Sequence, residues 1–206
     1  MLLDYTGTEC VMITVDANTL KDVERQLGEY PKKAPLVISR ALNRAAANVK
    51  TNAVKKVRES YVVKAKDVST TMTIKKASRN NLSANVTSEG TSIGLDKFRV
   101  RPAEPRHSKP PKALRVQVKK AGGAKQIVGA FVASVNGNKV FKREANSRHQ
   151  KGKSGRWTEL PVKRLFGPPI PEMVGSRSIR EFVEREAATV FEQRLEHEIK
   201  RTMEGN

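Results

Sequence analysis

Residues Leu36 to Ser60 read LVISRALNRAAANVKTNAVKKVRES. Neither Gly nor Pro interrupts them. Ile38, Leu42, Ala45, Val49, Ala53 and Val57 recur three or four residues apart, which is one stripe of an amphipathic helix. Ala41, Ala46 and Val54 widen the stripe, and the other faces carry Arg40, Arg44, Lys50, Lys55, Lys56 and Arg58. With a rise of about 1.5 Å per residue, such a helix is roughly 37 Å long. The stripe demands an apolar partner, so Ile38, Leu42, Ala45 and Val49 are candidates for packing against another subunit. The basic faces are candidates for meeting a polyanion.

Toward the N-terminus, Val11 to Val15 reads as a short strand. Asp16 or Asn18 then caps a helix in which Leu20, Val23 and Leu27 share a face. Gly28 ends it, and Pro31 and Pro35 punctuate the connection. Beyond the long helix, Lys66 to about Thr73 suggests a second one, with Val68 and Met72 on one face.

After Ser78 the pattern turns to strands. Leu82 to Thr87 alternates and meets a turn signal at Glu89-Gly90, and Ser92 to Val100 is expected to return. Ala113 to Lys119 alternates cleanly, breaks at Gly122-Gly123 and is answered by Gln126 to Val135, an antiparallel hairpin. Asn136-Gly137 marks another tight turn before Lys139 to Arg143. Residues 144–155 are polar and read as a mobile basic loop containing Arg148, Lys151 and Lys153. Gly167 to Pro171, rich in proline, is expected to be extended. Ser176 or Ser178 then caps a helix to about Met203, with Ile179, Phe182, Val183, Ala187, Val190, Phe191, Leu195 and Ile199 apolar. Of these, Phe182 and Phe191 are further candidates for subunit packing.

Helices, then strands, then a helix imply an α+β fold. The expected form is an antiparallel sheet or partial barrel, flanked by the long helix of the N-terminal half and by the C-terminal helix. Residues 1–35 would form a strand/helix arm, and residues 36–206 a single α+β domain.

The composition bounds the function. The 206 residues hold 40 Lys+Arg against 21 Asp+Glu, a formal net charge of +19, and the mean hydropathy is −0.56. The charge is regional. Residues 1–30 carry two basic and six acidic side chains (net −4), residues 172–206 six and eight (net −2), and residues 31–171 thirty-two and seven (net +25). A field of that size attracts nucleic acid or an acidic protein surface. Lys64, Lys66, Lys75 and Lys76 join the helix cations as candidates for facing it. No stretch is long and apolar enough to span a bilayer, and Met1-Leu2-Leu3-Asp4 has no secretory character. Cys10, the single cysteine, excludes an internal disulfide and suits a reducing compartment.

Motifs for catalysis fail on inspection. Gly152-Lys153-Ser154 lacks the glycine a phosphate loop needs five residues earlier, where Ser147 stands. Gly90 to Gly94 fits neither a nucleophile elbow nor a dinucleotide fingerprint. His107, His149 and His197 stand far apart in sequence, with no neighbour at metal-ligand spacing. No cofactor or metal is expected, and no enzyme. Tyr61, Phe98, Phe131, Phe141, Trp157 and Phe166 fall where a sheet would pack them rather than interleaved for base stacking. On these grounds alone the chain is a basic α+β binding protein, with general nucleic-acid binding as one reading of its charge.

Three segments in order go further: Ile38 to Ala46 (ISRALNRAA), Tyr61 to Ser78 with its Val63-Lys64-Ala65-Lys66-Asp67-Val68, and Leu160 to Pro171 with its Gly167-Pro168-Pro169-Ile170-Pro171. This arrangement resembles the minor tail protein Z family of tailed phages and prophages, over roughly residues 16–200. The resemblance implies a structural tail or tail-completion role near the head-proximal end of the tail or the head–tail joint. It also implies a place in the virion after assembly in the bacterial cytoplasm, with other tail and neck proteins and the DNA end as partners. A homo-oligomeric ring is the usual form of such parts. No membrane contact is implied.

Overall fold

The computed structural model describes residues 7–14, 17–106, 113–144 and 161–205. Their contacts gather into two units. The first holds residues up to Arg58, Ala65–Thr91 and the chain from Pro169 onward; the second holds Glu59–Lys64 and Ser92–Pro168.

In the first unit, β1 (Gly7–Thr14) is followed by α1 (Ala17–Gln26). Since α1 already includes Asn18, that residue is not the cap; Asp16, the other candidate, lies outside the described residues, as does Val15. Val23 and Leu27 are buried, and Gly28 leaves the helix at φ +52°, a left-handed conformation that suits glycine. A 3-10 turn (Pro31–Lys33) runs straight into α2 (Ala34–Ser60). The helix starts two residues before the expected Leu36 because Pro35 sits in its first turn, where an N–H would lack an intrahelical partner anyway. Val37, Ile38, Ala41, Leu42, Ala45, Ala46, Val49, Ala53 and Val57 are all buried.

The short helix α3 (Ala65–Thr70) gives way to β2 (Met72–Lys75). The expected helix through Thr73 therefore stops early. Thr71 Oγ1 donates to Val68 O at 2.8 Å, a side-chain bond that competes with further turns, and Met72 buries itself as a strand residue. β3 (Ser83–Gly90) pairs antiparallel with β1 on one side and β2 on the other, with Val86 opposite both Val11 and Ile74. Glu89 and Gly90, expected to turn, stay in the strand because β1 pairs with it as far as Gly90 and Glu89 N–H donates to Thr71 O at 2.9 Å. Ala84, Val86 and Ser88 form its buried face.

The unit closes with α4 (Ile170–Val174), which packs on β3 and β1, and α5 (Arg177–Met203). Pro171, expected to be extended, instead occupies the first turn of α4. Ser176 does precede α5, but its hydroxyl donates to Met173 O at 2.8 Å, securing the end of α4.

The second unit is built of short strands: β4 (Ser92–Gly94), β5 (Arg99–Arg101), β6 (Ala113–Gln117), β7 (Lys125–Val128), β8 (Ala130–Ser134), β9 (Asn138–Arg143), β10 (Val162–Arg164) and β11 (Phe166–Pro169). They form the sheets β5-β6-β7, β10-β9-β8 and β11-β4. The hairpin predicted between residues 113 and 135 exists, but its second arm divides. Gly129 at φ +74° sends β7 and β8 to different sheets. Asn136 (φ +50°) and Gly137 (φ +90°) supply the predicted tight turn between β8 and β9. A 3-10 turn at Leu95–Lys97 likewise splits the expected 92–100 strand into β4 and β5. Leu95, Phe98, Leu114, Val116, Ala130, Val132 and Val140 are buried here. Residues 59–64 join through Val62 N–H to Val118 O (2.8 Å) and Lys120 N–H to Ser60 O (2.9 Å). Among the described residues the fold is α+β with antiparallel sheets and no closed barrel.

Candidate polyanion and subunit surfaces

The outer face of α2 is set by what its inner face buries. Arg40, Arg44, Ala47, Thr51, Lys55 and Arg58, three or four residues apart, are all exposed, with no acid among them. Beside them run β2 and the residues that follow it, tied to the helix at two points. Asn43 Nδ2 donates to Ala77 O (3.0 Å) while its Oδ1 accepts from Ala77 N–H (2.8 Å), and Lys50 Nζ donates to Met72 O (2.7 Å). The later helix residue holds the earlier strand residue, so β2 runs opposite in direction to α2. That clamp holds the chain from Met72 to Ala77, which carries the exposed Lys75 and Lys76, alongside α2.

The predicted cations then divide by employment. Arg40 Nη1 lies 3.7 Å from Glu198, a nearly buried carboxylate. Lys50 holds Met72, and Lys56 Nζ sits 4.7 Å from the centre of the Phe182 ring. These three serve the fold. Arg44, Lys55, Arg58, Lys66, Lys75 and Lys76 are exposed on the first unit and are available to a partner. Lys64 is exposed within the second unit. Arg148, Lys151 and Lys153, with the rest of the loop from 145 to 155, lie outside the described residues, as do His107, His149 and Trp157.

Ile38, Leu42, Ala45 and Val49 are buried inside their own chain. A side chain enclosed by its own core has no surface for another subunit, so that stripe makes the monomer. Phe182 and Phe191 on α5 are only half-buried and keep surface for packing. Among the aromatics, Tyr61 and Phe98 are buried, Phe131 and Phe141 pair with ring centres 6.2 Å apart, and Phe166 is exposed with Arg164 Cζ 5.0 Å from its ring.

The second unit carries cations that the sequence reading did not single out. Arg101 stands directly opposite Arg115 across β5 and β6, and Lys163 directly opposite Lys142 across β10 and β9. All four are exposed. Like charges facing each other across a ladder destabilise it. One signal was available: no acid occurs between Glu104 and Glu144. Only strand register turns that scarcity into facing pairs.

Among the described residues, no group of His, Cys, Asp and Glu is arranged to hold a metal ion, and no helix is long and apolar enough to cross a membrane. No curated protein and no solved structure matches the chain. The family model of prophage minor tail protein Z (GPZ) matches residues 19–205, which takes in α2, the second unit and all of α5, and leaves out β1 and the first two residues of α1. The chain belongs to the prophage minor tail protein Z family.

Proposed function

We propose that this protein is a non-enzymatic structural component of the tail, acting in tail completion at the head-proximal end or head–tail joint. Family membership supplies the tail and hence a virion component. The further step, contact with the DNA end, is carried by the facing like-charge pairs Arg101–Arg115 and Lys142–Lys163. An isolated sheet gains nothing from such pairs, whereas a phosphate backbone lying over them converts repulsion into attraction and releases counterions. The exposed cations Arg44, Lys55 and Arg58 on the outer face of α2 support the same reading. Apolar surface left half-covered on α5 would meet neighbouring tail or neck proteins, or further copies in a ring. Such a ring would concentrate positive charge and so needs DNA or acidic neighbours to offset it.

The test is deletion of the gene from a phage or inducible prophage that carries it. Heads and most of the tail should assemble, while infectivity falls and tail ends look abnormal by electron microscopy. Normal infectivity with normal tail ends sinks the reading. Absence of the chain from purified virions would favour a nucleic-acid-binding protein with no virion role.

A further inference from the structure

The first unit contains an open groove of about 440 Å³ between α2, α3 and β2. Ala47, Val54, Ala65 and Ile74 line it together with the small polar side chains Thr51 and Ser69. Lys50 and Lys66 stand on its rim, Lys50 held by Met72 O and Lys66 exposed. Small side chains in that lining let a helix approach closely, and the exposed Lys66 asks that helix for a carboxylate. The occupant should present an apolar row beside an acidic one.

The same chain offers such a helix. The two ends of α5 are anchored in the core, by Ile179, Val183 and Ala187 before and by Glu198, Ile199 and Thr202 after. Between Ala187 and Glu198 no side chain is buried. Phe191 and Leu195, one turn apart, are half-covered, and Glu192 and Glu196, the adjoining row, are exposed. Anchored ends fix this stretch in shape, so little ordering entropy opposes docking.

We propose that the groove of one copy receives the middle of α5 from a second copy, with Phe191 and Leu195 against that lining and Glu192 facing Lys66. The two surfaces differ, so the contact is heterologous: repeated head to tail, it closes a ring or continues as a filament. The proposal rests on the structural reading above, in that it supplies the contact between copies which that reading needs.

The experiment is sedimentation equilibrium of the full chain at about 0.15 M salt, where repulsion between copies is screened beyond about 8 Å, with thermal melting to confirm folding. The wild type should self-associate. Lys66→Glu and Glu192→Lys should each weaken association about tenfold, as attraction across an exposed pair becomes repulsion. The double variant, or an equal mixture of the two single variants, should restore it. Ala47→Trp, which fills the groove without changing charge, should also dissociate the assembly. A wild type that stays monomeric, or reversals that fail to rescue each other, overturns the proposal. So does Lys66→Glu lowering DNA retention without changing association, since the groove would then belong to the polyanion. Rescue combined with a phage deletion of no consequence would keep this contact and discard the tail-completion role.

Discussion

The carboxamide of Asn43 acts as an extra peptide group, accepting from the Ala77 N–H and donating to its carbonyl. Few side chains can do both. Aspartate would keep the acceptor but turn a carboxylate oxygen toward the carbonyl, and alanine would leave both backbone groups without this partner. Asn43→Ala should therefore destabilise the protein by about 2 kcal/mol, and Asn43→Asp by a comparable amount. The check is a lowered urea midpoint at unchanged slope. A stability unchanged in both variants would mean the clamp is incidental. Leu42 gives a second residue-scale test, because its burial assigns it to the monomer. Leu42→Ala should cost about 2–5 kcal/mol of unfolding free energy, with the loss present at every protein concentration. A loss that vanished on dilution would return Leu42 to a subunit interface. Gly167 shows the opposite constraint, since an added Cβ would lie 2.5 Å from Phe98 Cε2. Gly167→Ala should lower the melting temperature, and Phe98→Leu in that background should recover part of it.

Among the elements, the ladder between β9 and β10 carries its own test. Lys163→Glu places an acid opposite Lys142 and exchanges a like pair for an opposite one. The variant should melt higher than wild type, by roughly 0.5–1 kcal/mol of added stability, and yet bind duplex DNA more weakly. Stability and binding moving in opposite directions is the signature of charge retained for a ligand. If both fall, Lys163 is structural. This scale also shows where sequence suffices. α2 was legible because one apolar period runs unbroken through its core positions, and the turns at Asn136-Gly137 and Gly122-Gly123 were legible because those pairs are chemically suited to turning, whereas the β2–β3 turn was not. The ends of α3, β4 and β5 were not, since Met72 joins a strand only because β3 is there to pair with it. Nor could spacing tell whether Ile38 and Leu42 meet their own chain or another. The first unit draws its parts from three separated stretches, and no local pattern records which distant segments will meet.

Over the whole molecule, net charge alone predicts that the protein sticks to DNA, so adhesion by itself decides little. Salt dependence decides more. Each phosphate contact contributes about 0.9 to the slope of log affinity against log salt concentration, so the slope counts contacts and a variant's slope says which side chains make them. Arg44, Lys55 and Arg58 lie on one exposed face of α2. Changing all three to glutamine should flatten the slope by nearly 3 if each touches a phosphate (about 0.9 apiece). Arg101→Gln with Lys142→Gln, in the second unit, should flatten it by nearly 2 on the same counting. Were the protein a diffuse polycation, both variants would shift affinity in proportion to charge removed, and so would a control at Arg177 and Arg180, whose partners are Glu181 and Glu184. A built surface predicts instead that the control leaves the slope unchanged while the other two lower it. An equal response from all three would remove the case for a defined DNA-facing surface, leaving only the net charge of +19.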